Sequence, residues 1–118
     1  MDPITGLAYG RNAVGTLALI SPPRVEKLLG PDPRFNPQMS PLTRMFGARE
    51  VALGGLTLVA SGDARERLIQ AGVAVDGIDL VAGIAAATSG AMSKKDGVML
   101  AVVAAGSLAT GVNGLQDD

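Results

Sequence analysis

Five ionisable residues lie deep inside otherwise apolar stretches: Arg11, the neighbours Arg49 and Glu50, and the pair Asp76 and Asp79. Arg49 and Glu50 stand in the run from Met45 to Ala60, where the residues on either side, on every helical face, are small or apolar. A solvated helix would gather such charges on one wet stripe. Here they read as buried. Carboxylates held this way are candidate general acids or bases, with Asp76, Asp79 and Glu50 in that role, and Arg49 or Arg11 can orient a substrate or stabilise an oxyanion. The set holds two positive charges against three negative, and the surplus calls for a bound proton or a cation. A charge at the centre of a bilayer costs ~3 kcal/mol, so unpaired ones are not expected there. The alternative role for the same residues is a structural lock of salt bridges that holds a small bundle together.

Helical hairpin geometry gives these residues an expected arrangement. An antiparallel pair turning at Gly62-Asp63 brings Arg49 to the depth of Asp76, which predicts an Arg49–Asp76 ion pair. Asp79 follows one turn along the face of Asp76, and Gly72 and Gly83 leave room beside it. The next hairpin places Ser107 opposite Asp76, with Thr110 one turn deeper. Arg11 reaches a similar level, with Tyr9 and Asn12 close by. The candidate ligand-binding set is therefore Arg11, Arg49, Glu50, Asp76, Asp79, Tyr9 and Ser107, with no metal ligand group among them. For Ser107, Thr110 and Asn12 the competing role is hydrogen bonding between helices, and for Tyr9 it is an interfacial anchor.

The elements that must position this set are four helices, expected at about 3–20, 41–61, 64–89 and 94–114. Asp2-Pro3 opens the first as N-cap and first-turn proline, and Ser21-Pro22-Pro23 stops it. With Arg11 at its centre it is too charged for the apolar region of a signal peptide, and it reads as a retained span. Six of the seven prolines fall between Pro22 and Pro41. In that segment Arg24 to Leu29 forms either a short amphipathic turn closed by a left-handed Gly30, with Val25, Leu28 and Leu29 on a lipid interface, or a stiffened surface loop. Ser40-Pro41 starts the second helix, Asp63 and Glu66 form a capping box for the third, and Gly90 ends it. Ser93 and Asp96 cap the fourth. Its small residues recur every four positions, Gly97, Ala101, Ala105 and Ala109 on one strip with Gly106, Thr110 and Gly114 beside it, marking the expected packing face.

Composition narrows the chemistry. The 118 residues make one domain of 47% apolar composition with sixteen glycines, no cysteine and no histidine. Thiol redox, disulfides, zinc sites built on those residues and an imidazole base are all excluded. A formal net charge of −1 gives no basis for nucleic-acid binding. Gly6-x-x-x-Gly10 and Gly10-x-x-x-x-Gly15 lack the lysine and the strand context of a phosphate loop, so no cofactor is expected. The fold class is all-α, a four-helix transmembrane bundle with a proline-rich first loop and a polar centre. A soluble four-helix bundle is the rival fold, and a strand–turn–strand over residues 72–81 is the rival local structure.

A first helix with a central arginine ending in proline, the Gly47-Ala48-Arg49-Glu50 segment with Gly54 and Gly55 after it, and the Asp76-x-x-Asp79 pair together resemble the small four-helix integral membrane proteins of unknown function from actinobacteria and fungi, DoxX-like in layout. The resemblance implies a membrane location, the plasma membrane in a bacterium, and four spans, and implies no reaction. Three functions follow as expectations. The polar centre binds a small ligand, a proton or a cation between helices; or the chain is an intramembrane isomerase, hydrolase or cyclase acting on a lipophilic small molecule; or it is a structural subunit that packs against a second copy or a membrane partner. Arg24, Lys27, Arg34, Lys94 and Lys95 in the first and third loops outnumber Arg65 and Arg67 on the other side, which puts both termini away from the cytoplasm.

Overall fold

In a computed structural model that describes residues 2–29, 39–90 and 92–117, the chain is all-helical. Five helices are present among these residues: α1 (Pro3–Ile20), α2 (Pro22–Leu29), α3 (Met39–Val59), α4 (Gly62–Ser89) and α5 (Lys94–Asp117). No strand forms over residues 72–81, which lie inside α4. Two helices, Gly62–Ser89 and Lys94–Gln116, are long and apolar enough to cross a membrane.

Local chemistry sets most helix ends. The Asp2 carboxylate accepts the Thr5 backbone N–H at 2.9 Å and the Thr5 hydroxyl at 2.8 Å, so it caps α1 while Pro3 occupies the first turn. Gly90 adopts φ +81°, the left-handed conformation that closes α4. The Ser93 hydroxyl accepts the Asp96 N–H at 3.1 Å at the start of α5. Two expected caps are displaced. Helix α4 starts at Gly62 behind Ser61, so Asp63 and Glu66 lie inside its first turns and form no capping box. Helix α3 is already helical at Met39, so Ser40-Pro41 lie inside it and do not open it.

The segment after Pro22 is a full two-turn helix, so the expected four helices with a loop become five. Helix α2 touches α1, α3 and α5 and lies across one end of the bundle. Its Val25 and Glu26 are buried, and Leu28 faces outward. Val25 therefore packs inside the molecule and does not rest on a lipid interface. The Glu26 carboxylate accepts the Thr43 hydroxyl of α3 at 2.8 Å, which ties α2 down. Gly30 and the remainder of the proline-rich segment to Gln38 lie outside the described residues.

The long helices form two antiparallel pairs, α1 with α3 and α4 with α5; the α3–α4 hairpin is only loosely packed. In the first pair the backbones nearly touch. A Cβ built on Gly47 would come within 2.6 Å of the Gly15 carbonyl, and one on Gly54 within 2.6 Å of the Ala8 carbonyl. In the second pair Gly83 lies against Ala101 and Gly97 against Ala87, within one residue of the expected register. The face of α5 differs from expectation further along. Ala104, Gly111 and Gly114 turn inward, whereas Ala105, Gly106 and Ala109 are exposed. A strict four-residue step advances about 40° beyond a full turn each time, so a strip of that spacing winds off the interface within three steps.

The distribution of polarity is inverted relative to a protein that folds in water. The buried apolar side chains are Ile4, Ala8, Ala18, Val25, Ile69 and Ala104, half of them alanine, and among the described residues no large side chain is fully buried. Outside, Ile20, Leu42, Met45, Val59, Ile78, Val81 and Val102 are each more than half exposed, spread over all four long helices. Burying a large apolar side chain contributes about 1.5–3 kcal/mol in water, and this fold forgoes most of that. The polar and charged side chains it buries are Arg11, Glu26, Thr43, Glu50 and Asp76.

Candidate functional site

The five ionisable residues meet as one alternating chain of charges: Asp76, Arg11, Glu50, Arg49, Asp79. Arg11 from α1 reaches across to α4 and holds Asp76 with two parallel bonds, Nη1 to Oδ1 at 3.2 Å and Nη2 to Oδ2 at 2.6 Å. Its Nη1 also donates to Glu50 Oε2 on α3 at 2.8 Å. Arg49 repeats the pattern one helix turn away, with Nη1 to Asp79 Oδ1 at 3.3 Å and Nη2 to Oδ2 at 2.7 Å, and donates from Nη2 to Glu50 Oε1 at 3.2 Å. Paired bonds of this kind match the planar guanidinium to the carboxylate and are the strongest ion pairs side chains make. Glu50 is the centre of the chain, shared by both arginines.

The expected Arg49–Asp76 pair does not form. Hairpin arithmetic places residues at equal depth but assumes that α3 and α4 face each other, whereas α3 packs on α1 and α4 on α5. Arg11 therefore stands between Glu50 and Asp76, and Arg49 is left to reach the next carboxylate, Asp79. Gly72 makes this possible: a Cβ there would sit 3.1 Å from Arg11 Nη2. Gly83 lines the cleft with the carboxylates, as expected, and also brings α4 onto α5. Nor is any carboxylate spare in the sense of standing unpaired, since all six carboxylate oxygens accept a bond from an arginine. The surplus negative charge is shared along the chain.

Exposure divides the cluster in two. The side chains of Arg11, Glu50 and Asp76 are 9%, 7% and 4% exposed, whereas Arg49 and Asp79 are 36% and 35% exposed. All five line a cleft of about 610 Å³ between the two helix pairs, with the second pair as the exposed part of the cluster, and the apolar side chains around it include Val14, Phe46, Ala86, Leu100 and Val103. The Phe46 ring stacks near the Arg49 guanidinium at 5.2 Å, and Arg49 Nε is buried with no partner among the described residues. The cleft occupies the half of the bundle toward the end where α1 and α4 finish. In the other half Ile4, Leu53, Leu68 and Ile69 converge and leave space for about one water, 20 Å³.

Of the remaining expected site residues, Ser107 lines the cleft with the carboxylates. Tyr9 is 55% exposed on the outer face of α1 and takes no part in the cluster. Thr110 donates to the Gly106 carbonyl of its own helix at 2.9 Å, and Asn12 to that of Ala8 at 2.9 Å, so neither serves a carboxylate. Phe46 was not among the expected site residues; its one signal in the sequence is its place three positions before Arg49, on the same helical face.

No protein-family model matches this chain, and neither does any curated protein or solved structure. The likeness to small actinobacterial and fungal membrane proteins accordingly stands on the residues quoted for it.

Proposed function

We propose that the chain is an integral membrane protein in which α1, α3, α4 and α5 all cross the bilayer and the Arg49–Asp79 pair forms the polar end of a ligand site between them. The placement of side chains supports the membrane location: large apolar ones point outward on every long helix, the mid-helix charges Arg11, Glu50 and Asp76 are buried, and exposed charges such as Arg44, Glu66, Arg67, Lys94 and Lys95 lie toward the helix ends. At about 1.5 Å per residue, the 21, 28 and 24 residues of α3, α4 and α5 exceed a ~30 Å hydrocarbon core, and the 18 residues of α1, about 27 Å, fall slightly short of it, a mismatch met by local thinning of the bilayer. The buried trio of Arg11, Glu50 and Asp76 serves as the lock that joins the α1/α3 pair to the α4/α5 pair, because the small residues at the interface supply little hydrophobic adhesion in lipid. Arg49 and Asp79 are placed for a different task. Intramembrane charges facing a cavity are functional groups by default, and the single observation that carries the reading is that the cluster lines a 610 Å³ cleft with Arg49 and Asp79 as its exposed members, each about a third exposed.

Acid–base chemistry on a lipophilic substrate would use the same pair, Asp79 as the proton carrier and Arg49 beside the developing negative charge. Two measurements test the proposal. Expressed protein should stay with membranes through a carbonate wash and need detergent for release; recovery as a soluble monomer would end the membrane reading. Thermal-shift screening of the detergent-solubilised protein should then find small molecules that stabilise the wild type but not a variant whose cleft is filled by Ala86→Phe. Finding no compound that distinguishes the two would leave the cluster as a scaffold and the chain as a packing subunit.

A further inference from the structure

We infer that the cleft takes an amphiphilic monocation, an organic amine or quaternary ammonium whose charged end sits on Asp79 and whose apolar body fills the space between the helix pairs. The inference deepens the ligand reading and rests on it. Two observations on different features converge. The first is charge: two guanidinium groups face three carboxylates, so with every group ionised the cluster carries one uncompensated negative charge, and beside it a ligand of charge +1 gains most while an anion is repelled. The second is shape and lining. A proton would neutralise the cluster but has no use for 610 Å³ of cleft walled by Val14, Phe46, Leu100 and Val103. A bare metal cation needs several oxygen ligands, and the polar groups that line the cleft are the charged cluster and Ser107.

Only one carboxylate is placed to receive the cationic end. Glu50 and Asp76 are at most 7% exposed and enclosed by the arginines, whereas Asp79 is 35% exposed at the cleft. Each of its oxygens accepts one bond from Arg49, and a carboxylate oxygen has two lone pairs, so both retain capacity for an ammonium donor or for the close approach of a methylated nitrogen. The Phe46 ring lines the cleft beside this pair and holds the Arg49 guanidinium 5.2 Å from its centroid, which keeps Arg49 to one side of the carboxylate. The volume suits a drug-sized body, within the 300–1,000 Å³ usual for small-molecule sites. Ala86 lies seven residues beyond Asp79 on α4, two turns along nearly the same face, so its side of the cleft is where the apolar body extends.

The test uses the full chain in detergent micelles and three probes that share one alkyl tail and differ only in headgroup: octyltrimethylammonium, octanol and octanoate. Binding is read by native mass spectrometry and by thermal shift on the wild type, Asp79→Asn and Ala86→Phe. The ammonium probe should bind the wild type at least about tenfold more tightly than either other probe, the difference one charged contact makes. Both variants should lose that advantage while Ala86→Phe keeps the wild-type melting temperature. If octanol binds as well as the ammonium probe, or sodium or potassium at equal ionic strength protects as well, the ligand class is overturned while the cleft remains a site. If octanoate is preferred, the charge argument fails outright. If no probe separates the wild type from Ala86→Phe, the cleft is not a ligand site and both readings fall together.

Discussion

Replacing Arg11 by methionine removes the one side chain that touches both other helices of the buried trio. Asp76, with a side chain 4% exposed, would lose both of its donors, and Glu50 would keep only the longer 3.2 Å bond from Arg49. Breaking a buried pair by removing one partner costs about 3–5 kcal/mol, because the other charge stays desolvated and unpaired. Arg49→Met is the informative contrast. It leaves Glu50 on Arg11 at 2.8 Å, and Asp79 is open enough to the cleft that the loss should resemble that of an exposed pair, ~1 kcal/mol. Combining Arg11→Met with Asp76→Leu should recover most of the large loss: Arg49 still neutralises Glu50, the cluster's net charge is unchanged, and an apolar pair replaces an ionic one, an exchange that is often neutral. The assay can exploit the absence of cysteine. A single Ala104→Cys, at a position 6% exposed, reports unfolding through thiol labelling on heating. A difference of ~3 kcal/mol between the two single variants corresponds to roughly 10 °C or more in Tm for a domain of this size. If Arg49→Met proves as damaging as Arg11→Met, or the Arg11→Met with Asp76→Leu double variant loses as much as the two singles added, the division into lock and site is wrong.

Other outcomes follow from the same geometry. Gly54→Ala should destabilise the α1/α3 pair by about 1–3 kcal/mol, since its Cβ would meet the Ala8 carbonyl at 2.6 Å, whereas Gly106→Ala, with nothing within 4 Å, should stabilise α5 by about 0.5–1 kcal/mol; chemical denaturation of both variants checks this. The Thr5 backbone N–H, then its hydroxyl, hold the Asp2 carboxyl below its ordinary 3.8, so this cap contributes stability above that value and loses it as pH falls through the lower folded value. The protection of the Thr5 and Gly6 amides, measured against their intrinsic exchange rates, should therefore fall at acidic pH in the wild type and already be low at neutral pH in Asp2→Ala. Lys94 and Lys95 at the start of α5, with Arg24 and Lys27 on α2, lie at one end of the bundle, against Arg65 and Arg67 at the other. A phosphatase fused to the C-terminus should accordingly be active outside the cytoplasm, and an inactive fusion would reverse the orientation.

The residues that matter were visible in the chain because their chemistry conflicts with their neighbourhood. A charge inside a run of glycine, alanine and valine is costly unless something answers it, so Arg11, Arg49, Glu50, Asp76 and Asp79 identify themselves without any structure. Helix ends were equally local. Asp2-Pro3 and Gly90 act through bonds and dihedral angles within a few residues, which is why they fall where the sequence puts them. The cap that moved, to Ser61, is one where adjacent residues compete for the same role.

Partner choice is another kind of quantity. The depth of a residue along a hairpin follows from counting, but which way it faces depends on which helices are neighbours, and that is settled by contacts far apart in sequence: Gly15 on Gly47, Gly54 on Ala8, Gly83 on Ala101. Those contacts pair α1 with α3 and α4 with α5, and the consequence is that Arg11 takes Asp76 while Arg49 takes Asp79. The same assembly separates an enclosed trio from an open pair and leaves the cleft between them. Five like-looking charges in the sequence thus become two groups with different surroundings, because burial is a property of the space between helices and no helix carries it alone.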